Sequence, residues 1–225
     1  MDLDVPTTLG PGRLVVDWAD EPRAVLWLGH SAGSGIEAAD LVALATTLPS
    51  FGITVVRYEQ PWRVAGRKVA PRPAALDVGW MDAVSHVTDI AEGLPLIVGG
   101  RSAGARVACR TAGAVGAVAV VCLSFPLHPP GKPEKSRIDE LLTPRVPVLV
   151  LQGERDAYGS ARDVTSAVTA MDDVAPVSAI PRSIRVMPVA GADHSMAVLK
   201  SSPLDASGVG RVVIDTVREF IDEVI

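Results

Sequence analysis

The sequence predicts an α/β domain, a mostly parallel central sheet with helices on both faces. Three observations lead there. Short runs rich in Val, Leu and Ile, such as Gly52 to Tyr58 and Val146 to Gln152, are apolar without alternation, as strands covered on both faces are. Segments with helical apolar spacing alternate with those runs. No internal repeat and no linker interrupts the 225 residues, so 1–225 is expected to be one domain.

Each element follows from its local pattern. Arg13 to Trp18 and Arg23 to Leu28 read as strands, separated by the turn Ala19-Asp20-Glu21-Pro22. Ile36 to Leu48 has helical spacing, with Ile36, Leu41, Leu44, Ala45 and Leu48 on one face. Gly52 to Tyr58 is a buried strand, and Gln60 to Pro73 an Arg- and Pro-rich loop. Ala75 to Ala91 reads as one helix with a stripe of Val78, Met81, Val84, Val87 and Ile90. Pro95 to Val98 is a short strand ended by Gly99-Gly100, and Ser102 to Ala112 is helical. Ala117 to Leu123 is a further strand, followed by a proline-rich loop from Ser124 to Lys135 and a short helix, Ile138 to Leu142. Val146 to Gln152 is a strand, Ser160 to Met171 a helix, and Ser183 to Val189 the last strand. Gly210 to Val224 closes the chain as an amphipathic helix carrying Val213, Val217, Phe220 and Val224 on its apolar face.

Composition narrows the function classes. Hydrophobic residues make up 48% of the chain and charged residues 21%, a globular balance. A net charge of −5 argues against a general nucleic-acid surface, so a small-molecule partner is expected. Cys109 and Cys122 both lie in apolar stretches and read as buried thiols. Met1 to Gly10 has neither a basic nor an apolar leader pattern. The longest apolar run, Ala112 to Leu123, is too short and glycine-broken to cross a bilayer. No membrane association and a cytoplasmic setting are the expectation; oligomeric state is not legible.

The chemistry concentrates at three strand ends. Gly100-Arg101-Ser102-Ala103-Gly104 is a G-x-S-x-G pattern between an apolar strand and a helix, the setting of a nucleophile elbow. Such a turn needs glycines where a side chain would strike neighbouring backbone, and the helix that follows aims amides at developing negative charge. A glycine-rich turn with an incidental serine would look the same taken alone. The strand Val146 to Gln152 runs into Gly153-Glu154-Arg155-Asp156, and the strand Ser183 to Val189 into Gly191-Ala192-Asp193-His194. The order Ser102, Asp156, His194 and the placement of all three past the ends of strands favour a catalytic triad over chance. Asp193 and Glu154 are rival acids, and His30, His86 and His128 rival bases, each less well placed. His30-Ser31-Ala32-Gly33-Ser34-Gly35 lies where a second oxyanion donor belongs, so the backbone amides of Ala32 and Ala103 are the expected pair. That loop lacks the spacing and the lysine of a phosphate-binding loop.

These residues resemble the α/β-hydrolase fold without a cap domain, in its small dienelactone-hydrolase-like group. Within it they resemble the branch containing the testis-expressed hydrolase-like proteins and a non-specific lethal complex subunit domain. The matching stretches are His30 to Gly35, Val56 to Glu59 with Gly66-Arg67-Lys68, Gly99 to Val107, Phe125 to Lys135, Leu151 to Asp156, and Gly191 to Ser195. Pro126-Leu127-His128-Pro129-Pro130-Gly131-Lys132-Pro133 is the most specific of them, while Ser31 departs from the usual glycine. The resemblance implies the fold and the triad positions strongly and the substrate weakly, because some members look like scaffold or interaction domains.

A serine hydrolase acting on ester-like bonds through an acyl-enzyme is therefore expected, needing no metal and no organic cofactor; the alternative is a non-catalytic interaction module on the same fold. Only Ser124 to Arg145 separates two successive strands where relatives carry a lid, so an open, shallow pocket is expected. Arg57, Arg63, Arg67, Lys68, Arg72 and Arg101 are expected near its mouth. Arg57 or Arg101 could bind a substrate carboxylate, or could pair internally, for instance with Glu59.

Overall fold

A computed structural model describes residues 1–172 and 183–225. Eight strands form one sheet: β1 (Asp2–Val5), β2 (Gly12–Asp17), β3 (Ala24–Gly29), β4 (Ile53–Glu59), β5 (Leu96–Arg101), β6 (Ala119–Leu123), β7 (Val148–Gly153) and β8 (Ile184–Val189). Their spatial order is β1-β2-β4-β3-β5-β6-β7-β8. The pairs β1–β2 and β2–β4 are antiparallel and the other five parallel. The expected mostly parallel sheet is observed, and the carboxyl ends of β3 to β8 share one edge.

Helices cover both faces. α1 (Ala39–Thr47) and α8 (Ala206–Val224) pack on one side with Leu26, Leu28, Val121 and Leu149 of the sheet. α2 (Pro61–Val64), α3 (Pro73–Met81), α4 (Val84–Ala91), α5 (Ala103–Thr111), α6 (Ile138–Leu141) and α7 (Ala161–Asp172) contribute to the other side, over Trp27, Val98, Val120 and Val150. Burying one such Val or Leu side chain contributes about 1.5–3 kcal/mol. The centre of that second face is Trp27 stacked on Trp80, ring centroids 3.6 Å apart, with Tyr58 edge-on to both.

Several boundaries differ from the sequence reading, each for a physical reason. The predicted helix Ala75 to Ala91 is two helices. The chain breaks at Asp82, whose carboxylate accepts hydrogen bonds from the backbone and hydroxyl of Thr8 at 2.8 and 2.7 Å. The buried face is set by Trp80 and Ala83, whereas Val78 of the predicted stripe is exposed. The loop 60–73 contains the single turn α2. The helix predicted from Ile36 begins at Ala39, and Leu48–Phe51 is a 3-10 turn, yet all five residues of the predicted face are buried. α8 starts at Ala206 rather than Gly210, because the Asp205 carboxylate caps it by accepting from the Gly208 N–H at 2.7 Å.

Between β6 and β7 the described chain holds only α6 and loops, so among the described residues no cap domain stands over the sheet edge. Among the described residues no helix is long and apolar enough to cross a membrane.

Candidate active site

The site is built where β5 turns into α5. Ser102 sits in that turn with φ 51° and ψ −106°, a conformation costing a non-glycine residue on the order of 1–3 kcal/mol. Its N–H donates to the Leu123 carbonyl at 2.9 Å, which fixes the turn against the end of β6. The two motif glycines exist because α5 and β5 press on β3. A Cβ on Gly100 would lie 2.5 Å from the Gly29 carbonyl oxygen, and one on Gly104 only 2.4 Å from it. No side chain fits either position, so the elbow is specified by backbone contact as much as by its serine.

Three side chains distant in sequence meet at this turn. Ser102 Oγ is 2.9 Å from His194 Nε2, and His194 Nδ1 is 2.8 Å from Asp156 Oδ2. Asp156 is buried, and its carboxylate also accepts from Gln152 Nε2 at 2.9 Å and from the Tyr158 N–H at 2.8 Å. A carboxylate so supplied acts as acceptor, so the Nδ1 proton belongs on His194 and Nε2 is left to accept from the serine hydroxyl. Tyr158 stacks on the imidazole with ring centroids 4.1 Å apart. The line from hydroxyl to carboxylate therefore has a defined proton direction.

The rival residues are employed elsewhere. Glu154 accepts from the Gly191 N–H, and Asp193 accepts from the Ser195 and Ala197 N–H groups of the following turn. His128 contacts the Pro129 carbonyl, and His86 lies beside Ser85. His30 is buried, and burial holds its imidazole below the ordinary range, hence neutral. The Gln60 N–H can only donate, so His30 Nε2 accepts it at 3.1 Å and Nδ1–H donates to the Ser31 carbonyl at 2.7 Å. This histidine anchors the loop carrying Ala32. Ser31 Oγ closes the same loop by accepting from the Gly33 and Ser34 N–H groups, a task that glycine at this position could not perform.

Ala32 and Ala103 line one open cleft of about 520 Å³ together with Ser102 and His194. Neither amide donates to another backbone group among the described residues outside regular helix and strand bonding. A smaller recess beside it, lined by Trp62, Leu76, Trp80 and Val107, is apolar.

The expected basic mouth holds for Arg101, which lines the cleft, and is corrected for Arg57, Arg63, Arg67, Lys68 and Arg72, which do not. Arg57 is buried, donates to Asp17 at 3.1 Å and to the Ile36 carbonyl at 3.1 Å, and does not face the cleft. Arg101 is buried against Asp40, Nη1 to Oδ2 3.1 Å, and its Nη2 donates to the His194 carbonyl at 2.7 Å. Both pair internally, but with Asp17 and Asp40; Glu59 pairs with Arg13. Arg63, Arg67, Lys68 and Arg72 are not among the cleft-lining residues, which instead include Arg106 and Arg137. Sequence reading missed Gln152, Tyr158 and Asp40. Gln152 alone left a signal, as a polar residue closing an apolar strand four positions before Asp156. Cys109 and Cys122 are buried free thiols with sulfurs 3.5 Å apart. No cluster of metal-ligating side chains occurs among the described residues.

Comparison with known proteins agrees with this architecture. A serine hydrolase without a lid from Xanthomonas campestris superposes with a TM-score of 0.70 at 17% identity, covering 98% of this chain and 94% of that one. A dienelactone hydrolase from Anabaena variabilis superposes with a TM-score of 0.70 at 14% identity, covering 100% and 97%. An alpha-beta serine hydrolase homologue from Coxiella burnetii gives a TM-score of 0.70 at 14% identity, covering 98% and 95%. At these identities the likeness is one of fold. The family model for the alpha/beta hydrolase domain matches residues 22–222, and the chain belongs to that family.

Proposed function

We propose that the protein is a serine hydrolase that cleaves ester-like bonds, carboxylester or thioester, in a small or openly bound substrate. The observation that carries this reading is the continuous line Ser102 Oγ, His194, Asp156, with links of 2.9 and 2.8 Å at the mouth of one cleft. Packing alone does not call for these three residue types in that order at three strand ends. The Pro126 to Pro133 run further supports the testis-expressed and non-specific lethal branch within the family.

In the proposed reaction Ser102 Oγ attacks the carbonyl carbon while His194 Nε2 takes the hydroxyl proton. Asp156 keeps the imidazole oriented and stabilises its cation, and the Ala103 and Ala32 amides receive the oxyanion. Collapse of the tetrahedral adduct breaks the bond to the leaving group, which takes the proton from His194. Water, deprotonated by the same nitrogen, then attacks the acyl-serine; the bond to Ser102 Oγ breaks, His194 returns the proton to that oxygen, and the acid is freed. The residues supply every proton transfer, so the reading requires no cofactor. The lidless edge and the open cleft suit a dienelactone-hydrolase-like or carboxylesterase specificity.

A panel of p-nitrophenyl and thioester substrates of graded acyl length tests the proposal. Turnover by the native protein that falls about 10⁴-fold or more in Ser102→Ala and His194→Ala supports it. Turnover that survives both substitutions would assign the activity to groups other than this triad, and none on any substrate favours a binding module built on the fold.

A further inference from the structure

Three guanidinium groups line the cleft that holds Ser102, and only two of them are matched by carboxylates. Arg101 is matched by Asp40 and the His194 carbonyl. Arg106 grips Glu140 in a two-pronged pair, Nε to Oε2 2.9 Å and Nη2 to Oε1 2.6 Å. Arg137 has no carboxylate within 4.0 Å among the described residues; its one side-chain hydrogen bond runs from Nη1 to the Pro126 carbonyl at 2.8 Å.

The surrounding charges leave Arg137 uncompensated. Glu140 already serves Arg106 and Arg110, and Arg110 also takes Asp77 at 2.6 Å. The cluster therefore sets Arg106, Arg110 and Arg137 against Glu140 and Asp77, leaving one positive charge over. Arg137 is half-buried, and burial together with the like charge of Arg106 presses its guanidinium below the ordinary arginine range. An unpaired cation in that setting gains from any anion that reaches it. Its position is fixed as well. The Arg137 N–H donates to the Leu127 carbonyl at 2.7 Å, and the Nη1 contact holds the fork, leaving Nη2 and Nε without partners among the described residues.

We propose that Arg137 is a specificity-determining residue that binds a carboxylate on the substrate, in the same cleft as Ser102. One guanidinium matches the single charge and two oxygens of a carboxylate through parallel N–H donors. The substrate class is thus an ester or thioester bearing a free carboxylate on its acyl or leaving group. The inference rests on the hydrolase reading above, since it assigns the other end of the same substrate.

The test compares p-nitrophenyl acetate with the p-nitrophenyl monoester of glutaric acid, in the native protein, Arg137→Gln and Arg137→Lys. The glutamine keeps a donor for the Pro126 carbonyl, so the loop has a means of holding its place. The ratio of kcat/KM, carboxylate ester over neutral ester, is expected to fall about 10- to 100-fold in Arg137→Gln, mostly through KM, with partial recovery in Arg137→Lys. A ratio within twofold of the native one overturns the Arg137 assignment and leaves the hydrolase reading standing. Absence of turnover on both esters, with no covalent labelling of Ser102 by a fluorophosphonate, overturns both.

Discussion

Arg101 Nη2 donates to the main-chain carbonyl of His194 at 2.7 Å, so the residue before the elbow serine also holds the segment that carries the imidazole. The same guanidinium is neutralised by Asp40 at the start of α1, within the buried interior. Burial raises the Asp40 carboxyl above its ordinary range and Arg101 opposes the rise, so the two side chains depend on each other. Through this pair, α1, the elbow and the histidine loop are held as one unit.

Arg101→Met is expected to destabilise the protein by about 3 kcal/mol, because Asp40 would be left buried without its cation. It should also lower kcat, since the His194 carbonyl loses its donor. Adding Asp40→Asn should recover stability but not kcat. Chemical denaturation and ester kinetics on the two variants separate the effects; kcat returning with stability would show that Arg101 has no positioning role.

Gln152 holds Asp156 from below. Its Nε2 also reaches the carbonyls of Phe125 at 3.1 Å and Gly159 at 2.6 Å, so two hydrogens are shared among three acceptors. Gln152→Leu should cost about 1–3 kcal/mol by leaving buried acceptors unmet, and should reduce kcat by roughly tenfold as Asp156 loses a partner. Urea unfolding and kcat measured on one preparation check both.

Ser102 adopts positive φ for the sake of its side chain's position, which stores strain in the fold. Ser102→Gly should therefore be more stable than Ser102→Ala by about 1 kcal/mol, with both inactive. Thermal unfolding of the two variants side by side reads the difference directly.

The Arg106–Glu140–Arg110 cluster should leave a signature at acid pH. Burial works to raise the Glu140 carboxyl, but hydrogen bonds and charge from Arg106 and Arg110 hold it below its ordinary value of 4.5. A depressed carboxyl adds stability that is fully present above the unfolded value and is lost as pH falls through the lower folded value. Glu140→Gln should thus be less stable than the native protein at neutral pH, by about 1–3 kcal/mol, and should lose less on acidification below 4.5. Denaturation midpoints across pH 3 to 7 test this; parallel curves would deny Glu140 that role.

Much of this architecture was legible because its causes are local. The apolar runs of β3 to β7 can be stable only between two layers, and the glycines around Ser102 mark backbone so close to Gly29 that an added Cβ would fall within 2.5 Å of its carbonyl oxygen. The positions of Ser102 and Asp156 followed from where those runs stop, and that of His194 from the end of the last strand, β8. What escaped depends on partners far away in sequence. β1 is four half-polar residues that become a strand by pairing with β2, and the α3–α4 break needs Thr8 to reach Asp82. The fate of Arg57 and Arg101 was hidden for the same reason: a sequence displays cations but not which acids fold against them. Arg137 could not be singled out by pattern, since its distinction is the carboxylate it lacks.

The most direct measurement is the intact mass of the protein after exposure to a fluorophosphonate. One covalent phosphonyl adduct is expected on the native chain, mapped to the peptide bearing Ser102, and none on folded Ser102→Ala or His194→Ala. An unmodified native chain, or an adduct that persists in Ser102→Ala, would contradict the hydrolase assignment.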